Sequence, residues 1–283
     1  MRDADEQPST GFDRRSFLTR AAAGAGAAGL VWSAPAILRT DAAFGCPVGS
    51  PCTTTDHRLN WSDYLPGNCF LVPSGFNFVV LPSYAVTVTT SGAAAGDCFH
   101  IRTTDTDCNG VDGFPRGLPT PGTGSGPAFA QTDDDFFSLY RATGTNTSSV
   151  SATFAFKDSG SLLPRAANGV TFAIGDIDEW VFSDIFNGYR DLVTITAVDG
   201  DGVAMTAAEV AAVITVPQGS VLADAPTGGN PFTGQSFLES NSNATVVVRF
   251  NCLIRSFTVS FTSAVNGVSP QWIAISDILW CAD

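Results

Sequence analysis

Gly169-Val-Thr-Phe-Ala-Ile-Gly-Asp-Ile-Asp-Glu-Trp180 is the stretch on which the fold turns. Val170, Phe172 and Ile174 alternate with Thr171, Ala173 and Gly175, the period of a half-buried strand. The same parity then carries Asp176 and Asp178. Either the strand ends at Ile174 and the two carboxylates cap backbone groups at its rim, or they hold a cation.

Working outward, the same two-residue period recurs. Phe76–Val80, Tyr84–Thr90, Cys98–Arg102 and Asp135–Arg141 read as strands. So do Val150–Lys157, Asp191–Val198, Thr245–Phe250, Arg255–Thr262 and Trp272–Trp280. In Val150–Lys157, Val150, Ala152, Phe154 and Phe156 fall on one side and Ser151, Thr153 and Ala155 on the other. Asp199-Gly200-Asp201-Gly202 closes one strand with a strong turn signal. Thr206–Val213 is the one helix candidate behind the leader, with Glu209 three residues after Thr206 as a capping box requires. Residues 37–60 and 219–243 read as irregular. Strands every 10–20 residues with almost no helix predict an all-β, antiparallel β-sandwich, with a jelly-roll arrangement favoured.

Composition supports this class. Only 14% of the 283 residues are charged, against roughly 25% in soluble domains. The net charge is −13. Residues 1–36 carry as many acids as bases, so all of it lies behind them. Without a Lys/Arg cluster to follow a phosphate backbone, nucleic acid is excluded as a partner.

The first 36 residues are set apart. Arg14–Arg15 precede Phe17 and Leu18, an Ala/Gly-rich apolar run follows, and Ala34-Pro35-Ala36 fits an A-x-A cleavage site. This segment resembles the twin-arginine export signal. The resemblance implies a protein that folds before export and acts in the cell envelope or outside the cell. The run is too short and weakly apolar to leave a stable membrane span in the mature chain. The expected organisation is a signal peptide at 1–36, an irregular Cys-rich segment at 37–70 and one β-sandwich at 71–283.

All seven cysteines follow the leader, and in an exported chain they read as disulfides. The expected pairs are Cys252–Cys281, stapling two late strands, Cys98–Cys108, closing one loop, and Cys52–Cys69, closing the N-terminal segment into a disulfide-tied extension. Cys46 is left over, either free or lipidated after Ala43-Phe44-Gly45.

The mature part also resembles secreted bacterial surface modules of jelly-roll type. The residues that carry this are Phe172-Ala-Ile-Gly-Asp-Ile-Asp178, Asp191-Leu-Val-Thr-Ile195, Asp199-Gly200 and Ile273-Ala-Ile-Ser-Asp-Ile278. The resemblance spans Phe129–Asp283 and brings no catalytic residue with it.

Two acidic constellations are candidate calcium sites, because calcium takes six to eight oxygen ligands at loop mouths. One gathers Asp176, Asp178, Asp191 and Asp277. The other is Asp105-Thr-Asp107-Cys-Asn109-Gly110, which matches the start of a calcium loop but has Arg116 where the bidentate Glu belongs. In both, turn capping is the competing reading. Catalysis finds little support. His57 and His100 are the only histidines, and Gly-x-Ser-x-Gly is absent.

The sequence therefore points first to a non-catalytic exported β-sandwich with a binding or structural role, calcium-stabilised or not. A surface glycan or another surface protein is its partner. The alternative is a glycan-binding module or carbohydrate-active enzyme using the acidic and aromatic rim at 176–191. Trp61, Tyr64, Trp180, Phe182, Phe186, Tyr189 and Trp272 are the candidate sugar-stacking rings.

Overall fold

In a computed structural model the chain divides into two units, Met1–Asp41 and Ala42–Asp283. The structure describes residues 57–64, 69–80, 83–92, 97–102, 136–141, 149–175, 177, 179–180, 189–215, 231–233, 246–263 and 271–281. All of these belong to the second unit. The leader, Cys46, Cys52, Cys108 and both Asp105–Asn109 and Asp176/Asp178 lie outside the described residues.

The strands are β1 His57–Leu59, β2 Cys69–Leu71, β3 Phe76–Val80, β4 Tyr84–Gly92, β5 Cys98–Arg102 and β6 Phe136–Arg141. They continue with β7 Val150–Asp158, β8 Ala167–Gly175, β9 Glu179–Trp180, β10 Tyr189–Asp199 and β11 Ile214–Thr215. The last are β12 Pro231–Thr233, β13 Val246–Arg249, β14 Leu253–Ser263, β15 Gln271–Ile275 and β16 Ile278–Cys281. The single described α-helix, α1, is Ala207–Ala212. The strands form a curled antiparallel sheet ordered β2-β5-β6-β15-β8-β14-β7-β4-β3, with β10 on β14. The all-β, sandwich-like reading holds.

Alternation explains the long strands. In β7, Val150, Ala152, Phe154 and Phe156 are buried while the intervening residues are half-buried. On β10, Val193, Ile195 and Ala197 face the same core. Phe257, Val259 and Phe261 do so from β14. Phe257 stacks on Phe172 of β8 at 4.3 Å and on Phe154 at 4.8 Å, and this aromatic stack joins three strands.

The Gly169–Trp180 stretch is more deeply placed than a half-buried strand. Val170, Phe172 and Ile174 enter the core as expected, but Ala173 and Gly175 on the other face are buried as well. Gly169 has φ +64, a left-handed conformation that glycine adopts without steric cost. Beside it, two residues of β8 oppose one of β16, between Thr171↔Leu279 and Asn168↔Cys281. This is a bulge, and bulges bend strands. Before it β8 pairs with β14; beyond it β8 pairs with β13 and β15. The strand thus crosses from one part of the curled sheet to the other.

The helix is as its capping box predicts. Thr206 Oγ1 accepts the Glu209 amide at 3.3 Å, and Glu209 Oε2 accepts the Thr206 amide at 2.7 Å. The preceding turn requires its glycines. A Cβ at Gly200 would stand 2.7 Å from Leu253 Cβ, and Gly202 has φ +85.

Two expectations are corrected. The sequence reads as irregular over 37–60, yet β1 pairs with β16, His57 opposite Trp280. The 3-10 turn Trp61–Tyr64 then inserts a fully buried Trp61 against Phe137 and Phe78. A three-residue strand is too short to show a period, which hid it in the sequence. The closing segment Trp272–Trp280 is two strands, because Ser276-Asp277 turn inward. Ser276 Oγ accepts the Ala173 amide at 2.9 Å. Asp277 takes Arg58 and the Trp61 amide.

Candidate functional site

Polar side chains occupy buried strand positions at one end of the sheet. Arg141 follows the core residues Phe137 and Leu139 on one face of β6, a strand buried on both faces. Gln271 precedes Ile273 and Ile275 on β15, and the two stand directly opposite one another. Asp191 opens the buried parity of β10 opposite Ser263, which ends that of β14. The start of β7 meets this same end, Val150 lying opposite both Phe261 and Gly92. Asp97 packs against Gly92, where an added Cβ would come within 3.1 Å of it.

Arg141 is the centre of this cluster. It is fully buried, its Nη1 donates to Gln271 Oε1 at 2.9 Å, and its guanidinium lies 5.6 Å over the Phe261 ring. Burial pulls its pKa below the ordinary arginine value, while Asp97 and Asp191 oppose that shift. Arginine stays protonated through such a shift. Two carboxylates thus face one guanidinium.

The cluster also leaves hydrogen-bonding capacity over: Gln271 Nε2 is buried and meets no acceptor. Such an atom costs about 1–3 kcal/mol when nothing fills the space before it. A buried amide donor without an acceptor matches a hydroxyl, which can accept from it.

The other sequence candidates fall elsewhere. Asp277 was expected to share a cation with Asp191. Instead Oδ2 accepts Arg58 Nε at 2.8 Å and contacts Nη2, while Oδ1 accepts the Trp61 amide at 2.9 Å. Its carboxylate is an internal counter-ion and cap. Among the described residues, no three His, Cys, Asp or Glu side chains are grouped as a metal would need. Trp61, a candidate sugar-stacking ring, is core. Tyr64 donates to Val79 O at 2.6 Å, and its hydroxyl pKa is raised by burial and then by Asp63. Trp272 stacks on Phe136 at 5.8 Å. Phe182, Phe186 and the side chains of Trp180 and Tyr189 lie outside the described residues. His57 stacks on Trp280, and His100 is buried opposite Ser138. Neither lies opposite a residue of the Arg141 cluster in the strand register. Cys252 and Cys281 are both buried, and Leu253 and Cys281 both oppose Asn168. Cys69 and Cys98 open β2 and β5.

Reading from sequence missed Arg141, Gln271 and Asp97. For the first two a signal existed. Each is a polar residue at a strand end on the parity that its neighbours bury.

No family model matches this chain, and neither does any curated protein or solved structure. Among the described residues no helix is long and apolar enough to cross a membrane.

Proposed function

We propose that this is an exported, non-catalytic β-sandwich of jelly-roll type that binds a hydroxyl-rich ligand, a glycan, through the end built around Arg141, Gln271 and Asp191. The observation that carries the reading is the buried Gln271 amide donor left without an acceptor next to the Arg141 guanidinium. Glycan hydroxyls supply the matching acceptor, as loop-end sites of all-β proteins do. A catalytic role has less support. A glycosidase keeps one carboxyl protonated in apolar surroundings, and the carboxylates here surround a guanidinium.

Export rests on Arg14–Arg15 and the apolar run behind them. A folded protein outside the cytoplasm can hold disulfides, and support for a Cys252–Cys281 pair comes from the burial of both cysteines at the Asn168 register of β8. Exchanging Arg14 and Arg15 for Lys in the full chain is expected to leave the protein inside the cell. Continued export of that variant removes the twin-arginine reading.

The binding reading is tested on a glycan array with the wild type and Gln271→Glu. Glutamate keeps an oxygen to receive Arg141, replaces the amide donor by an acceptor, and adds a negative charge that the Arg141 guanidinium can pair. The expected result is a glycan bound by the wild type and weakened at least about tenfold in the variant, with the melting midpoint kept, since a site built to hydrogen-bond a hydroxyl discriminates strongly. A wild type that retains no glycan sinks the reading.

A further inference from the structure

The opposite end of β7 carries a different feature. The connection from β7 to β8 presents Leu162 and Leu163 to solvent, 43% and 65% exposed. Leu162 has φ 56, the left-handed region that a bulky side chain enters only at a cost in strain. The loop is built to hold it there. Asp158 Oδ1 accepts the amides of Gly160 at 3.1 Å and Ser161 at 2.8 Å, and the Ser161 hydroxyl at 2.9 Å. The Leu162 amide donates to Asp158 O, and the Asp158 amide to Leu163 O, both at 2.9 Å. The bonds from Ser161 hold the Asp158 carboxyl below its usual range.

The charges around the tip are uneven. Lys157, the only lysine in the chain, bridges to Pro164, and Arg165 follows it. Arg165 lies 4.2 Å over the Tyr84 ring and reaches Ser83 O and Asp158. The nearby acid, Asp158, is committed to the turn. On a chain of net charge −13 this is an apolar point with a cationic base.

A convex pair of leucines on a rigid turn has no flat surface to match. A bilayer asks for no matching shape. It takes apolar side chains into the headgroup and acyl boundary, and anionic headgroups attract the cations at the base. We propose that Leu162 and Leu163 form a membrane-docking tip, inserted into the surface of an anionic bilayer with Lys157 and Arg165 against its headgroups. The tip stands at the other end of a nine-residue strand from the Arg141 cluster, roughly 25 Å away. Docking there leaves that end facing outward, and the proposal is independent of the glycan reading.

Flotation with phosphatidylcholine vesicles, with and without phosphatidylglycerol, tests it on the full chain. The wild type is expected to float with the anionic vesicles and to be released by salt. The double variant Leu162→Asn, Leu163→Ser should lose at least about tenfold in partitioning, since burying a leucine is worth more than one decade of binding. Asparagine tolerates the left-handed conformation, so the melting midpoint should not fall and lost binding cannot be ascribed to misfolding. A wild type that ignores both vesicles overturns the proposal, as does a double variant that floats equally well. A wild type that self-associates through these leucines without floating also overturns it, in favour of a second copy of the chain.

Discussion

Asp277→Ala is expected to destabilise the protein by about 3 kcal/mol, the lower part of the range for breaking a buried ion pair by removing one partner. The carboxylate is almost wholly buried, and both of its oxygens are used. Oδ2 receives Arg58 and Oδ1 receives the Trp61 amide. Alanine leaves that amide buried without an acceptor. It also leaves the Arg58 guanidinium without its counter-ion, although with 30% of the side chain exposed Arg58 retains some solvation. The effect spreads because Trp61 Nε1 donates to the carbonyls of Ile275 and Ser276, at 3.1 and 2.9 Å. The residues that Asp277 holds in place are those that seat Trp61. Denaturant unfolding of both proteins measures the loss as a shift in midpoint at constant slope. A loss below about 1 kcal/mol, the size of an ordinary surface ion pair, would reject this role.

The second large effect is expected at Phe257. Its ring is 1% exposed and is stacked by Phe172 and Phe154, with Phe156 and Phe250 each at 6.3 Å. Phe257→Ala should cost about 3–5 kcal/mol, the transfer term plus the cavity left behind. The upper part of that range applies because the surrounding rings come from β7, β8 and the residue after β13, and ladder hydrogen bonds hold those strands in place. Thr258 provides the comparison. It is the next residue on the same strand, points the other way, and shares a 2.8 Å hydroxyl contact with Thr153. Thr258→Ala should cost no more than about 1 kcal/mol. Similar losses from the two substitutions would mean that the stack is not the centre of the core.

Where a strand is long enough to show its period, sequence and structure agree closely. Phe76–Val80 and Cys98–Arg102 are strands with the expected ends, and β7, β10 and β14 bury the parity their apolar residues mark. Short elements carry no such information. β1 has three residues, and its place depends on pairing with β16 more than 200 positions away, as the separation of Arg58 from Asp277 shows. The candidate site was half legible. Asp191 was identified, but as a cation ligand. Arg141 and Gln271 sit two residues from the buried Leu139 and Ile273, but in sequence a polar residue at a strand end reads equally well as facing solvent.

What the sequence by itself determined is whatever depends on neighbours within a few positions. That covers the alternation of Val170, Phe172 and Ile174, the Thr206/Glu209 cap and the Asp199–Gly202 turn. What only the tertiary structure decided is which side chains meet. Asp277 and Asp178 look alike at a strand end, but Asp277 faces an arginine delivered by a distant strand. Arg141, Gln271 and Asp191 become one cluster because β6, β15 and β10 end together. Period and propensity act along the chain, whereas charge pairing, burial of the second face of β8 and a shared site act across it. These are fixed only once the sheet has curled.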